Sequence, residues 1–245
     1  EDTQDHAAFV GARVDMLASA LLDRAELLGH AHALTVEANL TERLSRRSAI
    51  DAVLSPLLQE LVADRESETA ALAMHVLAAQ ARFMQQARRM ELPLGELPQE
   101  LFDMAMAVFR GVAAEMLADT AAAEARLRAQ FDPAARRVAK IARLVGAMQQ
   151  RARRALEIDH AGVAIFVTAL HMASGQPRHI AILSMSENQV ARFALSLRAA
   201  GLEQAGVEEQ FLFLHPEITL PDGFDTLRVD RAAAMLAAAQ PWAVQ

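Results

Sequence analysis

Ala161-Gly-Val-Ala-Ile-Phe-Val-Thr-Ala-Leu-His-Met-Ala-Ser-Gly-Gln-Pro177 carries no charge beyond any proton held by His171. Apolar residues occupy nearly every turn, so a helix here has no wet face and must be wrapped by its neighbours. From Ala161 to Ala173 it has 13 residues, too few for a bilayer span, which needs about 20. The stretch therefore predicts a core helix. Asp159 is placed to accept from the free amides at its start, and Gly175 to take the left-handed position at its end. Pro177 suits the first turn of the next helix.

The flanking sequence extends this helical reading in both directions. Upstream, Asp132-Pro133 pairs an N-cap with a proline at the first helical position. The helix expected beyond it carries Val138, Ile141, Val145, Met148 and Ala152 three or four residues apart, a narrow packing seam. Downstream, a short helix is expected from Pro177 to about Met185. Ser186-Glu-Asn-Gln189 then reads as a capping box for a helix burying Val190, Phe193, Ala194 and Leu197 and ended by Gly201. Phe211 to His215 is helical until Pro216 forbids continuation. Pro221-Asp-Gly is a turn, and Thr226 to Gln240 a last alanine-rich helix.

In the first half, Phe9, Val10, Val14, Leu17, Leu21 and Leu28 follow helical spacing, and Gly29 should end or weaken that helix. A second helix is expected from Thr41, as a cap, to about Leu54. Ser55-Pro56 opens a short helix, Arg65-Glu-Ser-Glu is a tight link, and Thr69 begins an antiparallel partner. This pair over residues 55–80 looks like a HEAT-type hairpin, with no second copy at fixed spacing. Leu92-Pro-Leu-Gly-Glu-Leu-Pro98 is the clearest break. After it, Leu101, Met104, Val108, Val112 and Met116 form one stripe of a helix opened by Pro98.

The fold expected is all-α: stacked antiparallel helix pairs, HEAT-like or an irregular bundle, about nine to eleven helices and no significant sheet. Residues 1–245 form a single helical domain, or two sub-bundles, 1–92 and 98–245, joined by the stretch 92–98.

Composition narrows the functions. The chain has 245 residues and no cysteine, which removes disulfides, thiolate zinc sites and cysteine nucleophiles together and fits a reducing cytoplasm. The opening Glu1-Asp-Thr-Gln-Asp5 has no basic-then-apolar pattern, so no secretory signal is expected. No uncharged apolar run reaches membrane length, so a soluble chain with no membrane partner is expected. A net charge of −7 argues against nucleic acid as a partner. Aromatics make up only 4%, with no tyrosine and the single tryptophan Trp242, so base-stacking platforms are poorly supplied.

The ten glycines form neither GxGxxG nor a P-loop, and neither HExxH nor GxSxG occurs. His30 and His32 are the one close histidine pair, and two residues apart on a helix they point to different faces. No metal site and no cofactor are expected, and catalysis is left uncertain, leaning against. His75 reads as a partly buried histidine rather than a phosphoacceptor, since Val76 stands where an acid would be expected. His171, Arg178 and His179 cluster at the Ser174–Pro177 corner. They are a candidate pocket for a small anion, as in a sensor or an enzyme, or a set of tertiary bonds to loop carbonyls.

One feature stands out. Residues 133–155 carry Arg136, Arg137, Lys140, Arg143, Arg151, Arg153 and Arg154 and no acid. Read as one helix, it places residues 136, 140 and 143 on one strip and begins another at 151 and 154. Arg136, Lys140, Arg143, Arg151 and Arg154 are thus the candidate partner-binding residues, for an acidic protein. The alternative is a solvated face paired with acids elsewhere in the fold.

The order over residues 160–201, an apolar helix, Ser-Gly-Gln-Pro, a short helix and a longer one ending Ala-Ala-Gly-Leu, resembles the alphaproteobacterial domain-of-unknown-function 2336 family. Ala78-Ala-Gln-Ala-Arg-Phe and Leu92-Pro-Leu-Gly-Glu-Leu-Pro look similar to its earlier part. The resemblance covers about 120 residues. It implies a helical, HEAT-like fold and a bacterial source, and brings no catalytic motif. The leading functional expectation is a non-catalytic interaction or regulatory module.

Overall fold

The computed structural model describes residues 2–113 and 117–239. The sequence-based placements of Met116, Gln240 and Trp242, and of the Phe9 and Val10 side chains, fall outside what is described. The described residues form an all-α fold of twelve α-helices with short 3-10 segments and no strand, slightly more helices than expected. The helices are α1 (Asp2–Leu22), α2 (Ala25–Ser48), α3 (Pro56–Val62), α4 (Ser67–Arg88), α5 (Gln99–Val112), α6 (Leu117–Gln130), α7 (Arg137–Ala147), α8 (Ile158–Ser174), α9 (Arg178–Ser184), α10 (Val190–Ala199), α11 (Gln204–Leu214) and α12 (Val229–Ala238). Among the described residues no single helix is long and apolar enough to cross a membrane.

Two compact units divide the chain, and each is discontinuous in sequence. Of the described residues, the first holds 2–32, 92–113 and 117–136, and the second holds 33–91 and 137–239. The proline-rich stretch 92–98 therefore falls inside the first unit.

The first unit has a small core of Leu97, Phe102, Ala105 and Met106, flanked by Leu21, Leu27 and Phe131. Phe102 and Phe131 stack with ring centroids 3.9 Å apart. Arg128 lies over Phe102 and pairs with Asp103 and Glu124. The buried face of α5 is thus Phe102, Ala105, Met106 and Val108. The expected stripe through Leu101 and Met104 is only partly buried, because the Phe102–Phe131 stack rotates the helix toward its aromatic residue. Gly29 does not end a helix. The break comes at Asp23–Arg24, and α2 runs unbroken through Gly29 and Thr41. A mid-helix glycine costs about 1 kcal/mol, which the packing of this long helix outweighs. Thr41 is no cap; its hydroxyl donates to the Glu37 carbonyl, 2.8 Å away.

The second unit is built around α8, which packs against α3, α7, α9, α10 and α11. Residues 161–170 are buried without exception, and Phe166 is 0% exposed. Phe166, Phe193 and Phe211 make a continuous aromatic cluster across α8, α10 and α11. Gly175 caps the helix with φ 71°, as its place in the sequence predicts. The start differs from expectation, since Glu157 rather than Asp159 holds the N-cap and makes no side-chain cap bond.

The helical path of α8 is also broken at Gly162, where φ is 70° and ψ 163°. That region of backbone space belongs almost wholly to glycine. The reason lies in α3: the Ser55 hydroxyl accepts from the Leu58 amide and caps that helix. Ser55 then lies so close that a Cβ on Gly162 would stand 3.1 Å from its Cβ. Gly162→Ala is expected to cost about 1–3 kcal/mol in denaturant unfolding; an unchanged midpoint would contradict this close approach. The Ser186 capping box does not form either. Its hydroxyl donates to Leu183, and a 3-10 turn over Glu187–Gln189 leads into α10.

Candidate functional site

The segment 133–155 is not one helix. Asp132 accepts from the Ala134 amide and starts only a 3-10 turn over Pro133–Ala135. Arg136 is extended, α7 follows, and Gln149 takes φ 50°, which ends regular helix. A second 3-10 segment, Gln149–Leu156, then meets α8 at 107°. Ile141, Val145 and Met148 of the expected seam are buried, while Val138 and Ala152 are half-buried.

These breaks sort the seven cations. Arg136 belongs to the first unit and donates to the carbonyls of Pro133 and Leu97. Lys140 is half-buried and is not without a partner. Arg151 pairs with Asp64 at 2.5 Å, and Arg154 pairs with Glu60 at 2.8 Å beside His160. The Glu66 amide, and then Arg151, hold the Asp64 carboxyl below its ordinary pKa. Arg143 and Arg153 are exposed, and neither has an acid within salt-bridge distance among the described residues. The expected strip of 136, 140 and 143 therefore reduces to Arg143, and Arg153 is the second exposed cation without an acid in reach among the described residues.

Arg137 has gone inward. Its guanidinium, 3% exposed, grips both oxygens of the fully buried Glu37, Nη1 to Oε1 at 2.7 Å and Nη2 to Oε2 at 3.0 Å. It also donates to Gln80 at 3.0 Å and lies 3.7 Å from the centroid of the Phe83 ring. Arg178 grips the same carboxylate from α9, at 2.8 and 2.9 Å, and its Nε donates to the Thr168 hydroxyl. Burial by itself raises the Glu37 pKa; the charges of Arg137 and Arg178 outweigh it and hold the carboxyl far below the ordinary range. One carboxylate thus ties α2, α4, α7, α8 and α9 together through Glu37, Gln80, Arg137, Thr168 and Arg178. Such bidentate, charge-assisted bonds are the strong class of hydrogen bond.

The same geometry decides the Ser174–Pro177 corner. All three nitrogens of the Arg178 guanidinium point into the protein, and His171 Nδ1 lies 2.6 Å from the Gln176 carbonyl, with the ring donating. Arg192 donates to the Gln176 side chain. His179 is the exposed member, and desolvation lowers its pKa. His171 thus bonds a loop carbonyl, as the structural alternative expects, while Arg178 bonds a carboxylate and a hydroxyl instead. His75 is exposed rather than partly buried, since α4 turns Leu72, Val76 and Ala79 to the core. His30 and His32 both lie on α2. Among the described residues no group of three or more histidine and acidic side chains is arranged to hold a metal.

Sequence reasoning missed Glu37 and Gln80. A signal existed: Glu37 sits at helical spacing from Ala33, Leu40, Thr41 and Leu44, all buried, so an acid stood in the apolar stripe of α2.

Between α7, the 3-10 segment Gln149–Leu156, α8 and the end of α10 runs an open groove. Val145, Ala152, Leu156 and Ala169 give it an apolar floor with Met172 at its edge, and among the described residues Arg153 is the one charged residue lining it. Comparison of the chain with protein-family models, with curated proteins and with solved structures gives no match.

Proposed function

We propose that this chain is a non-catalytic protein-interaction or regulatory module, a HEAT-like helical member of the bacterial family that its sequence resembles. It works in the cytoplasm and docks an acidic partner on the basic segment 133–155. One observation supports this reading above the others. Of seven cations in a segment without an acid, the fold pairs or buries Arg137, Arg151 and Arg154 and leaves Arg143 and Arg153 exposed without an acidic neighbour. Two cations held in solvent by a chain of net charge −7 attract an acidic partner to this segment.

The test is Arg143→Glu combined with Arg153→Glu, which spares every cation that bonds within the fold. Capture of partners from an extract of the source cell is expected to be lost, and wild-type capture to fade with salt. The Debye length falls from about 10 Å at 0.1 M to about 3 Å at 1 M. Unfolding stability is expected to stay within about 0.5 kcal/mol, the ordinary range for surface changes. Unchanged capture by the folded double variant would overturn the reading.

A further inference from the structure

We infer that the groove between α7, the 3-10 segment Gln149–Leu156 and α8 is the seat of an acidic amphipathic helix contributed by the partner protein. The inference rests on the docking reading above and adds to it the chemistry of the occupant. Three features carry it. The floor is apolar, formed by Val145, Ala152, Leu156 and Ala169, and takes aliphatic side chains from a helix laid along it. Met172 stands at the edge 46% exposed, a flexible and polarizable side chain suited to an incoming apolar surface. Charge fixes the sign of the occupant: Arg153 is the one charged lining residue. Arg143 lies one turn before the lining residue Gly146 on the same exposed side of α7. A helix with leucine-like residues on one face and carboxylates flanking them meets both the floor and the rim. A basic helix meets repulsion at Arg143 and Arg153, and a neutral one leaves them unused.

The wider surface offers weaker candidates. The cleft at Glu208, Asp222 and Asp225 is an acidic cluster without ligand geometry. The apolar hollow of the first unit at Ala20, Met104 and Gly111 is lined by one cation, Arg24, whose chain neighbour Asp23 is also exposed, so charge names no occupant there.

The experiment selects binders to the whole chain from a displayed library of amphipathic helices randomised at the flanking positions. Enrichment of Glu and Asp beside Leu, Met or Phe is expected. A synthetic peptide of the enriched sequence is expected to bind more weakly by about tenfold or more to Arg143→Glu/Arg153→Glu, where like charges then face each other. A similar loss is expected for Ala173→Trp, which fills the groove from an exposed position and leaves the core alone. Enrichment of basic or neutral helices, or no enrichment, would overturn the inference. Loss with the charge reversals but full binding to Ala173→Trp would overturn the groove while leaving an acidic partner on the cations. Full binding to both variants would overturn the docking reading as well. Cosedimentation with phosphatidylserine vesicles, equally sensitive to Ala173→Trp, would assign the groove to a lipid surface and overturn it too.

Discussion

Replacing Glu37 with alanine is expected to destabilise the second unit by about 3–5 kcal/mol. The effect comes from what remains. Arg137 is 3% exposed and Arg178 11%, so two guanidiniums lose their shared counter-ion where water cannot replace it. For a chain of this size the change is roughly a 10 °C drop in midpoint. Substituting Leu for Glu37 with Met for both arginines should recover most of the loss, because buried ion clusters are often replaceable by apolar side chains of similar volume. A loss below about 1 kcal/mol for the single variant would show that the cluster is not buried as described. The cluster also sets an acid dependence. The folded-state Glu37 pKa is depressed, so its stabilisation is complete above the ordinary glutamate value of about 4.3 and is lost as pH falls toward the folded value. Glu37→Gln should therefore flatten the fall in stability below about pH 4.3, while lowering stability at neutral pH.

Phe166→Ala should cost a comparable 3–5 kcal/mol by a different route. Phe166 is 0% exposed and touches the aromatic cluster of Phe193 and Phe211 on α10 and α11. Truncation leaves a cavity bounded by three helices that already pack on one another, so collapse is limited. Urea unfolding measures it directly. A change inside about 1 kcal/mol, the range of surface substitutions, would mean that α8 is not the centre of its unit.

The central helix was legible because an uncharged, nearly all-apolar run leaves no alternative to burial. Gly175 and Pro177 marked its end through backbone rules that need no tertiary context. Its kink was not legible, since Gly162 is forced by Ser55, which lies 107 residues earlier in the chain. The basic segment shows the same limit. Charge counting found all seven cations, and seam spacing found Ile141, Val145 and Met148. Which cation turns inward depended on Glu37, in another helix a hundred residues away. Arg143 and Arg153 stand out as available only after Asp64, Glu60 and Glu37 have taken Arg151, Arg154 and Arg137, and backbone carbonyls have taken Arg136. A helix period assumed through 133–155 placed Arg136, Lys140 and Arg143 together, and the left-handed Gln149 and the extended Arg136 break that period. The Ser174–Pro177 corner likewise gathers the histidines and arginine that its sequence suggests, but turns Arg178 toward Glu37.

The most direct test of the docking account is amide chemical-shift mapping of the whole chain with the selected acidic helix. Perturbations should be confined to residues around 143–156, 169–173 and 200–201, and should shrink with added salt. Shifts centred on the Ser174–His179 corner or on α1 and α5, with the groove amides unmoved, would contradict it.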